Sequence, residues 1–61
     1  MKLDVLLKGL THAQPAVRLD VVRVLVMLDE VRALPALRER YTVETDPQVK
    51  QAIAWAGKRL Y

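Results

Sequence analysis

The sequence predicts an all-α protein made of two helical hairpins, four helices in all, forming a short α-α superhelix. Three observations point there. A pattern recurs: "QPAVRLDVVRVLVML" from Gln14 returns as "DPQVKQAIAWAGKRL" from Asp46, so Pro15, Val17, Arg18, Val21 and Leu28 reappear 32 residues on as Pro47, Val49, Lys50, Ile53 and Leu60. Apolar residues fall at three- and four-residue intervals through most of the chain, the spacing of one helix face. Each copy also opens on a proline, which suits the first helical position because its missing N–H would have no partner there. A period of this length accommodates helix, connection and helix, so residues 1–29 and 30–61 are expected to be two repeats within one domain.

In the first helix Leu3, Leu6, Leu7 and Leu10 share one side, with Lys2, Asp4 and Lys8 facing away. Gly9 and the following "LTHAQP" stop it, since the residue before Pro15 is pushed out of helical geometry. The second helix, about 15–28, has Val17, Val21, Val24, Leu25 and Leu28 on one broad stripe and Leu19, Val22 and Val26 on another. Only Arg18, Asp20 and Arg23 interrupt the ring, and a helix apolar nearly all round is one buried nearly all round. Its five valines also suit a strand, but the proline start, the length and the 17/21/24/28 spacing favour a helix. Asp29 is placed to cap the third helix, with Glu30 in its first turn and Val31, Leu34, Leu37 and Tyr41 as its apolar face. Pro35 within that span implies a start near it or a kink. "TVETD" is a polar connection, and Asp46 followed by Pro47 is the clearest helix start in the chain. In the fourth helix Val49, Ala52, Ile53, Ala56 and Leu60 face the core, and the small Ala52, Ala56 and Gly57 suggest close approach of a neighbour. Trp55 lies off that face, beside Gln51 and Lys58, on the side matching the second stripe of helix two.

Composition narrows the function. No cysteine is present and histidine occurs once, at His12, so neither a disulfide nor a zinc cluster can be assembled, and no cofactor is expected. The longest apolar run, Val24–Leu28, is far shorter than the roughly 20 residues of a spanning helix. Asp4 and Lys8 interrupt the apolar opening too early for a secretion signal, so a cytoplasmic protein without membrane contact is expected. Ten Lys and Arg against seven Asp and Glu, both signs spread along the chain, read as a solvated helical surface more than a nucleic-acid footprint. Candidate catalytic groups are few. There is no Ser or Cys nucleophile, Thr11, Thr42 and Thr45 lie at loops and helix ends, and His12 has no evident acid partner. Asp29 and Glu30 are explained by the helix dipole, so no catalytic residue is assigned and no enzyme is expected.

"DEVRALPALRERYTVETDPQVKQAIAWAGKRL" resembles a HEAT repeat of the kind found in phycobilin lyase-like proteins, with Asp46, Pro47, Val49 and Lys50 in the D-P-x-V-R/K opening of the second helix. "ALPAL", Ala33 to Leu37, resembles the family's first helix, and the first half of the chain follows more loosely, with Gln14 in the usual place of an acid. The resemblance implies that Arg18 and Lys50 tie repeats together through acids, with Asp46 available to Arg18. It also implies that the second helix of each repeat faces a concave side. That side would contain Leu19, Val22, Arg23 and Val26 from helix two and Gln51, Ala54, Trp55 and Lys58 from helix four, matching the second apolar stripe.

Function is therefore expected to lie in protein contacts. Repeats of this type usually need three or more to bury their faces, and two with a surplus apolar face are expected to self-associate as a homodimer. The expected interaction residues are Leu19, Val22, Arg23, Val26, Ala54, Trp55 and Lys58. Trp55 is the foremost, because Trp is enriched where binding energy concentrates. Nucleic-acid binding through Arg23, Trp55 and Lys58 is the rival reading, weakened by the apolar residues that share their side.

Overall fold

The computed structural model describes residues 2–61. Four helices run in order: α1 (Leu3–Lys8), continued by a 3-10 turn at Gly9–Thr11; α2 (Pro15–Met27); α3 (Leu34–Val43), entered through a 3-10 turn at Val31–Ala33; and α4 (Pro47–Leu60). No strand occurs among the described residues, so the valine-rich segment is helical. Its β-branched side chains are held by packing, which overrides their intrinsic preference. α2 lies along α4, α3 packs against α4, and the Gly9–Thr11 turn bridges α2 and α3. Two helical hairpins thus meet chiefly through their second helices.

The core takes Val21, Val22 and Leu25 from α2, Leu37 from α3, and Val49, Ile53, Ala56 and Leu60 from α4, closed at its edges by Leu10 and Ala33. Val22, expected on an outward stripe, is instead wholly buried in this core. The inward direction of α2 runs through Arg18, Val21, Val22 and Leu25 and falls between the two stripes. A helix apolar nearly all round has no periodic signal that singles out its inner side. Leu28 and Val31, expected to face inward, are more than half exposed.

The ends of the helices follow local chemistry. Asp46 caps α4 as expected, its Oδ1 accepting from the N–H groups of Gln48 at 2.9 Å and Val49 at 3.0 Å. Asp29 does not cap α3. It adopts φ 51° and ends α2, its N–H donating to the Val26 carbonyl at 2.9 Å while the Glu30 N–H donates to the Leu25 carbonyl at 3.0 Å. This pair of bonds is a Schellman ending, which satisfies orphan carbonyls and needs a left-handed residue. Glu30 takes the capping role at the next turn, accepting from the Arg32 N–H at 3.3 Å and from the Arg32 side chain at 2.8 Å and 2.9 Å. That hydrogen-bonded side chain also lowers the Glu30 pKa. Pro35 sits in the first turn of α3, so the helix begins beside it, without a kink.

Gly9 owes its identity to close packing: a Cβ there would collide with Cγ2 of Val21. Gly9→Ala is expected to lower stability by about 1–3 kcal/mol through overpacking, measured by chemical denaturation. Asp29→Gly is expected to act the other way, raising stability by about 1 kcal/mol because glycine adopts the left-handed conformation without the Cβ penalty.

Candidate protein-interaction surface

One buried polar cluster fixes the relation of the two hairpins and hence the shape of every surface. The Arg18 Nε and Nη2 donate to the two carboxylate oxygens of Glu44 at 2.9 and 2.8 Å. Arg18 Nη1 donates to the carbonyls of His12 at 2.7 Å and Ala13 at 3.1 Å, tying down the loop ahead of α2. Glu44 also accepts from Arg40 Nε at 3.0 Å and from the Asp46 N–H at 2.9 Å, tying down the loop ahead of α4. The Glu44 side chain is fully enclosed and that of Arg18 nearly so. Burial alone would raise the Glu44 pKa, but the hydrogen bonds from Arg18, the Asp46 N–H and Arg40 outweigh it and hold the value at about 2. Arg18 therefore pairs with Glu44, not with Asp46, whose carboxylate is occupied in capping α4. Lys50, its counterpart in the second copy, is exposed and lies over the Tyr41 ring, 4.9 Å from the centroid.

On the α2/α4 side the structure brings part of the expected set together. Leu19, Arg23 and Trp55 line one shallow concavity with Gln48, Gln51 and Ala52. Trp55 is 46% exposed, and the Arg59 guanidinium lies 5.9 Å from its ring, a cation–π arrangement. Arg23 is exposed and faces Asp20 at 3.8 Å. Val26 is half-buried against the core, Val22 is inside it, and Lys58 is exposed. Ala54 is exposed but lines a different depression, an apolar groove between α3 and α4 that also includes Leu34, Leu37, Tyr41, Ile53 and Gly57. That groove was missed in the sequence. The signal available for it was Gly57, whose expected close neighbour is absent, since a Cβ there would meet nothing within 4 Å.

Groups with potential chemistry are engaged in local structure. Thr11 Oγ1 donates to the Lys8 carbonyl and Thr42 Oγ1 to the Glu39 carbonyl, while His12 Nδ1 accepts from the Gln14 N–H. Among the described residues no three His, Asp or Glu side chains gather as a metal site would require, and no helix is long and apolar enough to cross a membrane.

A stack of helical hairpins joined through their second helices defines an α-hairpin repeat protein. The chain matches the family model for HEAT repeats over residues 1–57 and belongs to that family. The match is to HEAT repeats at large, whose members generally mediate protein–protein interaction or scaffolding. No significant match was found among curated proteins or among solved structures.

Removing Glu44 leaves the Arg18 guanidinium buried without a counter-charge, so Glu44→Ala is expected to cost about 3–5 kcal/mol, enough to unfold most of a domain this small at room temperature. Because the folded pKa is depressed, the contribution of Glu44 is present in full above its ordinary value of 4.5 and is lost as pH falls from there towards about 2. Denaturant melts across that window are expected to show stability declining with acid, and a folded Glu44→Gln variant should show a flatter profile.

Proposed function

We propose that this chain is a non-catalytic protein-interaction module that uses the α2/α4 concavity around Trp55 and associates with a second copy of itself there. The half-exposed Trp55 carries the reading. It is a large aromatic surface with one N–H donor, bordered by the apolar Leu19 on the facing helix and by Arg23 and Arg59, a composition typical of binding hot spots. Val26, half-buried on the same helix, extends its apolar edge, and the exposed Lys58 adds to its charged border. The absence of catalysis in this reading is supported by the local engagement of Glu44, His12, Thr11 and Thr42. The likeness to phycobilin lyase-like repeats rests on the helix-opening turn at Asp46 and on "ALPAL" at Ala33 to Leu37, and assigns no chemistry to these residues.

Light scattering after gel filtration is the direct test: the expected mass is twice the chain's 7.0 kDa at micromolar concentration. Trp55→Ala is expected to return the mass to that of one chain with the melting temperature nearly unchanged, because the side chain lies outside the core. A single-chain mass for the unaltered protein overturns self-association. Val22→Glu is no test of it, since it would place a charge within the core. A second reading is favoured by the stacking of Arg59 on Trp55 near Arg23: a nucleic-acid surface whose affinity falls steeply with salt. Random-sequence DNA in a low-salt fluorescence titration decides it, and no binding there removes it.

A further inference from the structure

The 32-residue register pairs Val21 with Ile53, Val22 with Ala54 and Leu25 with Gly57. In the first hairpin this side of α2 is covered, with Val22 and Leu25 wholly buried where α2 meets α4. In the second hairpin the corresponding side is the open groove between α3 and α4, floored by Leu37 and Ile53 and walled by Leu34 and Tyr41. Where Leu25 fills the seam with its own side chain, Gly57 leaves a hollow. An occupant of the groove must therefore bring bulky apolar side chains.

Charge identifies the occupant further. Arg38 lines the groove, and Lys50 stands over the ring of Tyr41, one of its walls. Among the described residues neither of these two forms an ion pair, and no Asp or Glu side chain lines the groove, which Tyr61 borders at its end. A second copy does not supply what is missing. Twofold pairing of grooves would set Arg38 and Lys50 against their own counterparts. A copy docked in the register by which the two hairpins meet would put His12 opposite Lys50, at the position where Glu44 meets Arg18.

We infer that the α3/α4 groove is a docking site for an amphipathic helix of a partner protein, with leucine-sized side chains filling the hollow at Gly57 and flanking carboxylates meeting Arg38 and Lys50. This is helix-in-groove recognition with charge setting its specificity. It rests on the reading of the chain as a protein-interaction module, but on a face separate from that of Trp55.

Two synthetic helical peptides with the same leucine ridge, one flanked by glutamates and one by lysines, are titrated into the isotope-labelled chain and followed by amide chemical shifts. The glutamate peptide is expected to bind at least about tenfold more tightly, with the largest shifts at Ala54 and Gly57. Gly57→Leu is expected to abolish binding while keeping or raising the melting temperature, since leucine improves helix propensity and meets open space. Arg38→Glu combined with Lys50→Glu should reverse the preference, and Trp55→Ala should leave it unchanged, which separates failure of this site from failure of the Trp55 surface. Equal binding of the two peptides, no binding of either at millimolar concentration, or binding indifferent to Gly57→Leu overturns the inference. A drop in solution mass on Gly57→Leu also overturns it, by placing a second copy in the groove.

Discussion

The contact between Arg18 and Glu44 is the constraint on which the other packing depends. Apolar burial supplies most of the driving force for folding, yet it is non-directional. α2 offers valine or leucine in almost every direction, so burial alone would allow several rotations of this helix against α4. A guanidinium that must be fully hydrogen-bonded where it is buried removes that freedom. Arg18 meets both oxygens of Glu44 while holding the carbonyls of His12 and Ala13, and Glu44 in turn holds Arg40 and the Asp46 N–H. The loops that precede the two inner helices are thus fastened to one carboxylate. Rotation and register of α2 against α4 follow, and Val22 and Leu25 are the residues turned inward as a result.

This explains which parts of the molecule were legible in the sequence. The helices, their order and the cap at Asp46 follow from short-range signals that act within a few residues, and the structure reproduces them. The facing of α2 did not follow, because it is decided by a contact spanning 26 residues between Arg18 and Glu44, and the spacing of valines carries no information about it. Asp29 and Glu30 were legible as a helix boundary but not in their division of labour, since either acid can cap and only the backbone angle at Asp29 assigns the left-handed place to it. Of the surface residues, Leu19, Arg23 and Trp55, placed on one side by angular position, line one concavity. Ala54 separates from them because it lies about 100° round α4 from Trp55, on the side where that helix borders the groove with α3.

The two hairpins keep a common register while differing in what that register holds. Gly9 lets the first hairpin close tightly on Val21, whereas its counterpart is Tyr41, whose ring stands at the groove under Lys50. Leu25 is matched by Gly57, and the capping Asp46 by Gln14, which makes no side-chain cap. The exposed loop ahead of α2 is held by Arg18 instead of by a cap. These exchanges move bulk from the inner helix of the second hairpin to the outer one, producing a closed seam between the hairpins and a hollow beyond it.

Charge follows the same division. The acidic residues are largely committed to internal work: Glu44 in the buried cluster, Asp46 and Glu30 at helix starts, Asp20 beside Arg23. The basic residues exceed them by three in the sequence, and the ion pairs decide which of them remain uncommitted. Arg18, Arg23, Arg32 and Arg40 are paired with carboxylates, while Arg38 and Lys50 stand at the α3/α4 groove and Arg59 at Trp55. A composition that reads as mildly basic on average thus sets two basic side chains, Arg38 and Lys50, at the edge of an apolar hollow. Long-range attraction of an acidic partner depends on that local arrangement more than on the net charge of the chain, and counter-charge brought by a partner would be screened least where it enters the groove.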